Sequence, residues 1–153
     1  VSPFRTRSTR TAAALTLVLA GALGACSQGS TTASSTARTA PHIAFLAEQT
    51  SLRYPSSDVP NFQISLEDAC SECTVDTFLA ATQDEQNSQA AQALSAGATV
   101  LVVAPKDSAG AATIAQQARA AGAKVISYDS LIKGAPIDGF VTFDSGKVGA
   151  IGA

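Results

Sequence analysis

The run TVLVVA, Thr99 to Ala104, carries no charge and, after its threonine, no polar side chain. Side chains of a strand alternate between two faces. A run that is apolar at successive positions therefore has to be covered on both faces, which is the situation of a central strand in a parallel sheet. Alanine-rich stretches of helical period stand on either side. DEQNSQAAQALSAG, Asp84 to Gly97, has acids in its first turn and a glycine where a helix commonly ends. DSAGAATIAQQARAAG, Asp107 to Gly122, opens on an Asp/Ser cap and carries the stripe Ala111, Ile114, Ala115, Ala118 and Ala121.

The same alternation fills the region from Pro41 onward. HIAFLAE reads as a first strand, CTVDTFLA as a second, TVLVVA as a third, KVISYD as a fourth and GFVTF as a fifth. Between the first two, SLRYPSSDVPNFQISLEDA opens with turn residues. Ser57 or Asp58 is the expected cap of a helix with Pro60 in its first turn, and Phe62, Leu66 and Ala69 recur at helical spacing. LIKGAPID reads as a loop, and SGKVGAIGA opens another helix. Strand–helix–strand units require right-handed crossovers and a parallel sheet. The expected fold is α/β, a three-layer doubly wound parallel sheet with strand order 2-1-3-4-5. Small alanine side chains let the helices lie close to a Val/Ile sheet.

The first residues carry an address. Arg5, Arg7 and Arg10 precede an apolar run from Ala12 to Ala25 that is short for a membrane span, as in a secretory signal. LGAC, Leu23 to Cys26, resembles a bacterial lipobox, which implies lipidation of Cys26 and attachment to membrane lipid. The expected organisation is a lipoprotein signal peptide at 1–25, a Ser/Thr/Gly/Ala-rich tether at 26–40, and one domain at 41–153. Seven Lys and Arg follow Cys26 against twelve acids, so that part has a net charge of about −5. It shows no basic stripe, and nucleic acid is not an expected partner.

Two cysteines remain, in CSEC: Cys70 and Cys73. In an exported chain a local disulfide is the simplest reading. A redox CxxC and a pair of free thiols stay open. A zinc site needs four ligands, and the single histidine, His42, does not complete a set. No metal or other cofactor is expected.

In open parallel sheets ligands bind outside the carboxyl ends of the strands. The tips of the expected strands are EQTSLRY, Ala81 to Asp84, PKDS, Asp129–Ser130 and Asp144–Ser145. They include Arg53, Tyr54 and two separated acids. A sugar matches this mixture, because its hydroxyls pair with carboxylate and guanidinium groups and an aromatic such as Tyr54 covers its C–H face. Walker and GxGxxG spacings are absent, as are GxSxG and any histidine at a strand tip, so no enzyme activity is expected.

These residues carry a resemblance. IAFL…SLRY, CSECTV, GATVLVVAPKDSAGAA, AGAKVISYD and IDGFVTFDSGKVG, in this order, are similar to the N-terminal lobe of periplasmic-type sugar-binding proteins of the xylose/ribose group, which serve ABC importers. The resemblance implies a monosaccharide ligand, a membrane permease partner and a lipid-anchored position on the extracytoplasmic face of the cell membrane. It implies ligand contacts from Arg53, Tyr54, Asp129 and Ser130, and a more structural place for Asp144. The cysteine pair also has counterparts in some members. Ser130 replaces the family's arginine and Ser145 its asparagine, so the ligand differs or binding is weaker. In the family a hinge and a second lobe follow, and sugar is held between the lobes. Truncation before that hinge, in a fragmentary copy that binds sugar poorly by itself, is the accompanying expectation. Presentation of sugar to a chemoreceptor or sensor, or a non-functional remnant, is the alternative. A repressor's sensing domain would need a helix-turn-helix where the lipobox stands. A receiver would need an acceptor acid after the third strand, where Ala104-Pro105 stands.

Overall fold

The structure, a computed structural model, describes residues 40–151. The expected signal at 1–25, Cys26 and all of the tether except Ala40 lie outside the described residues. Strands β1 (His42–Glu48), β2 (Thr74–Ala80), β3 (Val100–Val103), β4 (Lys124–Tyr128) and β5 (Gly139–Val141) form one parallel sheet in the order β2-β1-β3-β4-β5. This is the order expected from sequence. The helices are α1 (Val59–Ala69), α2 (Gln83–Ser95), α3 (Ala112–Ala120) and α4 (Ser145–Ile151).

The alternation of the strands sorts the core into two layers. On one face Ala44, Leu46, Leu101, Val103 and Val125 pack under Ala90 and Ala93 of α2 and Ile114, Ala115 and Ala118 of α3. On the other, Ile43, Phe45, Ala47 and Val102 pack with Tyr54, Val59 and Phe62. β1 is buried along its middle five residues, as a continuous apolar run demands. Gly97 ends α2 with φ +97, a conformation that costs a residue with a Cβ. Cys70 and Cys73 form a disulfide between α1 and β2, with Cα atoms 5.4 Å apart. Among the described residues no helix is long and apolar enough to cross a membrane.

Three local expectations are corrected. The stretch Tyr54–Asp58 is a π-helical turn running into α1, not an irregular turn. Pro55 fits there because it sits in the first turn, where its missing N–H leaves no bond unmade. Asp58 precedes α1 but makes no side-chain cap. Its carboxylate is taken by Arg53 and Tyr128. Helix α3 begins at Ala112, five residues after the predicted cap. Asp107 instead accepts the Ala109 and Gly110 N–H groups and closes a separate turn.

Candidate functional site

The carboxyl ends of β1, β3 and β4 lie side by side in the sheet, and chain that leaves them supplies the polar residues. After β4, Asp129 adopts φ +67, a left-handed conformation that aspartate tolerates better than most residues. Its backbone is held from both sides. Its N–H donates to the Val141 carbonyl at 2.7 Å, and its carbonyl accepts from the Thr142 hydroxyl at 3.0 Å. Buried Ser127 fixes the following turn. Its hydroxyl donates to the Ser130 carbonyl and accepts the Ile132 N–H. A strained residue over-determined by its surroundings is a common mark of a functional position.

The loop after β1 folds back onto this acid. The Tyr54 hydroxyl donates to Asp129 Oδ2 at 3.0 Å, and Arg53 Nη2 lies 3.4 Å from the same oxygen. Arg53 Nε donates to Asp58 Oδ2 at 2.8 Å, and the Tyr128 hydroxyl donates to that oxygen at 3.2 Å. The guanidinium carbon also stands 5.1 Å from the centre of the Tyr54 ring, within cation–π range. One cation is thus held by two carboxylates and an aromatic face. The hydrogen bond that Arg53 donates to Asp58 is the main reason the Arg53 proton is held more tightly than usual, against the opposing effect of burial. Burial first, then the bond to Asp129, pushes the Tyr54 hydroxyl well above its ordinary value. Burial and the Asp58 charge raise Tyr128 as well.

Arg53 and Asp129 line a cleft of about 230 Å³ with Tyr128, Val141, Thr142 and Phe143. Among the described residues Asp129 Oδ1 has no hydrogen-bond partner, and the Arg53 side chain is 45% exposed. The cleft therefore offers an acceptor, a forked donor and the exposed ring of Phe143. A larger cleft, about 410 Å³, lies at the amino edge against Arg119, Lys124, Pro136 and Asp138. It contains neither Arg53 nor Asp129 and no aromatic ring, and its Lys124 and Asp138 are bonded to each other.

The structure thus brings three of the four expected ligand residues together. The fourth, Ser130, is exposed, and its hydroxyl has no partner among the described residues. Tyr54 needs a correction of role. It is 7% exposed, with its ring in the core and the guanidinium nearby, so it orients Asp129 and does not offer a face to a sugar. Sequence reasoning missed Asp58, Tyr128 and Phe143. Strand alternation carried a signal for Tyr128, which shares the Ile126 face packed toward α1. Asp144 accepts the Gly146 and Lys147 N–H groups and so caps α4. No group of three or more His, Cys, Asp or Glu among the described residues is arranged to hold a metal ion.

A doubly wound domain whose polar side chains converge on one carboxyl edge belongs, by fold and by site, with the lobes of small-solute receptors. The chain belongs to the family described as periplasmic binding protein domain, whose model matches residues 43–153. Over 71 residues it is 34% identical to the D-xylose-binding periplasmic protein of Escherichia coli strain K12, covering 46% of this chain and 22% of that protein. It also resembles a carbohydrate transporter solute binding protein from Chloroflexus aurantiacus in complex with D-glucose. That match has a TM-score of 0.63 and 33% identity, over 72% of this chain and 32% of the other. An ABC transporter solute binding protein from Clostridium phytofermentans with bound beta-D-glucose matches with a TM-score of 0.64 and 28% identity, over 72% and 34%. The chain therefore spans about a third or less of the length of these relatives.

Proposed function

We propose that the described domain is the N-terminal lobe of a solute-binding lipoprotein, anchored to membrane lipid through Cys26 and serving an ABC sugar importer. Its ligand is a pyranose aldose of the xylose type. Sugar hydroxyls bind Asp129 Oδ1 and the free side of the Arg53 guanidinium, and Phe143 lies against the ring. Asp58 and Tyr128 hold Arg53 in place, and Tyr54 holds Asp129. The permease reads the lobe once sugar has brought it together with a second one.

The observation that carries this reading is the meeting of Arg53 Nη2 and Asp129 Oδ2 at 3.4 Å on the carboxyl edge, 76 residues apart in the chain. The relatives supply the ligand class, since one is named for D-xylose and two hold D-glucose. These two sugars share the pyranose ring and differ by a hydroxymethyl group. The test is a titration of the isotope-labelled full chain with D-xylose and D-glucose, followed by NMR at sugar concentrations high enough to reveal weak binding. The amide signals of Arg53, Tyr54 and Asp129 should move together and saturate. Signals that stay fixed with both sugars would refute the proposal.

A further inference from the structure

The carboxyl edge holds a second polar cluster that the sugar site above does not use. Lys106 Nζ donates to Glu48 Oε2 at 3.1 Å and to the Thr50 hydroxyl at 3.3 Å, and that hydroxyl lies 3.2 Å from the same Glu48 oxygen. The three groups close a triangle. An ammonium has three protons and a carboxylate two oxygens. Among the described residues one Lys106 proton and Glu48 Oε1 have no partner. The triangle therefore keeps one donor and one acceptor in hand, side by side.

Its place in the fold matters as much as its contacts. β3 lies between β1 and β4. Lys106, just beyond β3, thus stands between the end of β1, which carries Glu48, and the end of β4, which leads to Asp129. Glu48 is close enough to Tyr54 that its charge helps retain the tyrosine proton. Tyr54 in turn donates to Asp129. The triangle and the Arg53–Asp129 cluster are neighbours on one rim.

The backbone under Lys106 is built with unusual care. Gln86, fully buried on α2, donates its amide to the Ala104 carbonyl at 2.9 Å and accepts the Lys106 N–H at 3.2 Å. Gln83 accepts the Asp107 N–H at 2.7 Å. Gly110 lies so close to Gln83 and Asp107 that an added Cβ would meet them at 2.7 and 2.9 Å. A buried glutamine is costly unless both ends of its amide are satisfied, and here both are satisfied by the loop that carries Lys106. Helix α2 thereby sets the height and direction of this loop. The side chain is then held at its far end by Glu48 and Thr50. A flexible lysine fixed at root and tip is pre-organised, which reduces the entropy lost when it binds.

We infer that Lys106 and Glu48 form a second ligand-contacting pair, with the ammonium donating to a sugar oxygen and Glu48 accepting from the neighbouring hydroxyl. This rests on the proposed sugar site and extends it along the rim by one strand. The pair supplies a second charged donor beside Arg53, and it works only for a ligand with oxygens on adjacent carbons, as an aldose has.

The experiment uses the unaltered full chain, labelled with nitrogen-15 on lysine side chains and backbone and titrated with D-glucose. The Lys106 ammonium signal should move along the same saturation curve as the Asp129 amide. The ammonium of Lys124, paired with Asp138 at the far edge, should stay fixed. K106M should then bind D-glucose about tenfold more weakly, the loss expected for one charged hydrogen bond, with an unchanged melting temperature. K106R should recover part of the affinity. If the Asp129 amide moves and the Lys106 ammonium does not, the inference falls and the sugar site stands. If neither moves, both fall.

Discussion

At the amino edge of the sheet, polar groups and sulfurs meet in simple pairs. Lys124 meets Asp138 at 2.8 Å, His42 meets Asp76 at 2.9 Å, and Cys70 is bonded to Cys73. At the carboxyl edge the same kinds of groups are shared out unevenly. Arg53 is divided between Asp58 and Asp129, and Asp129 sits in a left-handed conformation with one oxygen unpaired among the described residues. Lys106 and Glu48 likewise keep one proton and one oxygen in reserve. Polar groups satisfied within the chain serve stability, and groups oriented but incompletely satisfied are available to a ligand. The difference between the edges is one of sharing, not of residue type: isolated pairs at one, and groups held in common around a left-handed aspartate at the other.

The largest expected effect falls at the carboxyl edge. D129N keeps the shape of the side chain, tolerates the left-handed backbone and still accepts from Tyr54, but it loses the charge that faces Arg53 and, in the proposed function, the sugar. Sugar affinity should fall tenfold to a hundredfold, equivalent to about 1.5–3 kcal/mol, as read by the NMR titration. The melting transition should shift by less than about 1 kcal/mol in stability, since Asp129 keeps its backbone bonds to Val141 and Thr142. Equal losses of binding and stability would erase the contrast between the edges.

The amino edge should answer in the opposite way. Opening the Cys70–Cys73 disulfide, by reduction or in the double serine variant, releases a short loop between α1 and β2. Loop-closure entropy puts the cost at about 2 kcal/mol of stability. Sugar affinity should be unchanged, because neither cysteine reaches the carboxyl edge. Denaturant titration with and without reductant checks the first half, and the sugar titration checks the second.

Much of this arrangement was legible in the chain because it follows from rules that act over one strand or one helix. Apolar runs such as TVLVVA and their spacing specify a parallel sheet, and the carboxyl-end rule then places Arg53 and Asp129 on one edge. The rest depends on contacts between residues distant in sequence. Asp58 looks like a helix cap because capping is local, but Arg53 and Tyr128, the latter 70 residues away, compete successfully for its carboxylate. Asp107 looks like the start of α3. The helix starts later because Gln83 and Gln86 of α2 bind the backbone of the preceding loop. Tyr54 reads as an exposed aromatic beside Arg53, and only the packing around Phe45 and Val59 shows it turned inward. Residue types single out the candidate residues; their orientation comes from packing.

A smaller effect tests whether the carboxyl edge depends on groups behind the ligand. Y128F removes the hydroxyl that donates to Asp58 at 3.2 Å but keeps the ring against Phe45. Asp58 then restrains Arg53 less firmly. Sugar affinity should drop by about fivefold, roughly 1 kcal/mol, only part of the value of a hydrogen bond to a carboxylate because Arg53 keeps its own bond to Asp58. An unchanged affinity would confine the site to the residues that line the cleft.

The smallest effects are in pH, and they separate the edges by sign. Asp138 is held below the usual carboxylate range, first by the hydrogen bond from Lys124 and then by the Val125 N–H. A carboxyl lowered on folding contributes stability above its unfolded value, near 3.9, and loses it as pH falls through the folded one. D138N should therefore flatten the fall in melting temperature below about pH 4, and added salt should mimic it, since the pair is exposed. Tyr54 behaves in reverse. Its hydroxyl is raised above the ordinary value, near 10, so its contribution is complete below that value and is lost as pH climbs toward the folded one. Y54F should flatten the alkaline slope and leave the acid slope alone. If instead each variant altered both slopes, the two edges would be coupled through the sheet, and the separation between a closed structural edge and an open binding edge would not hold.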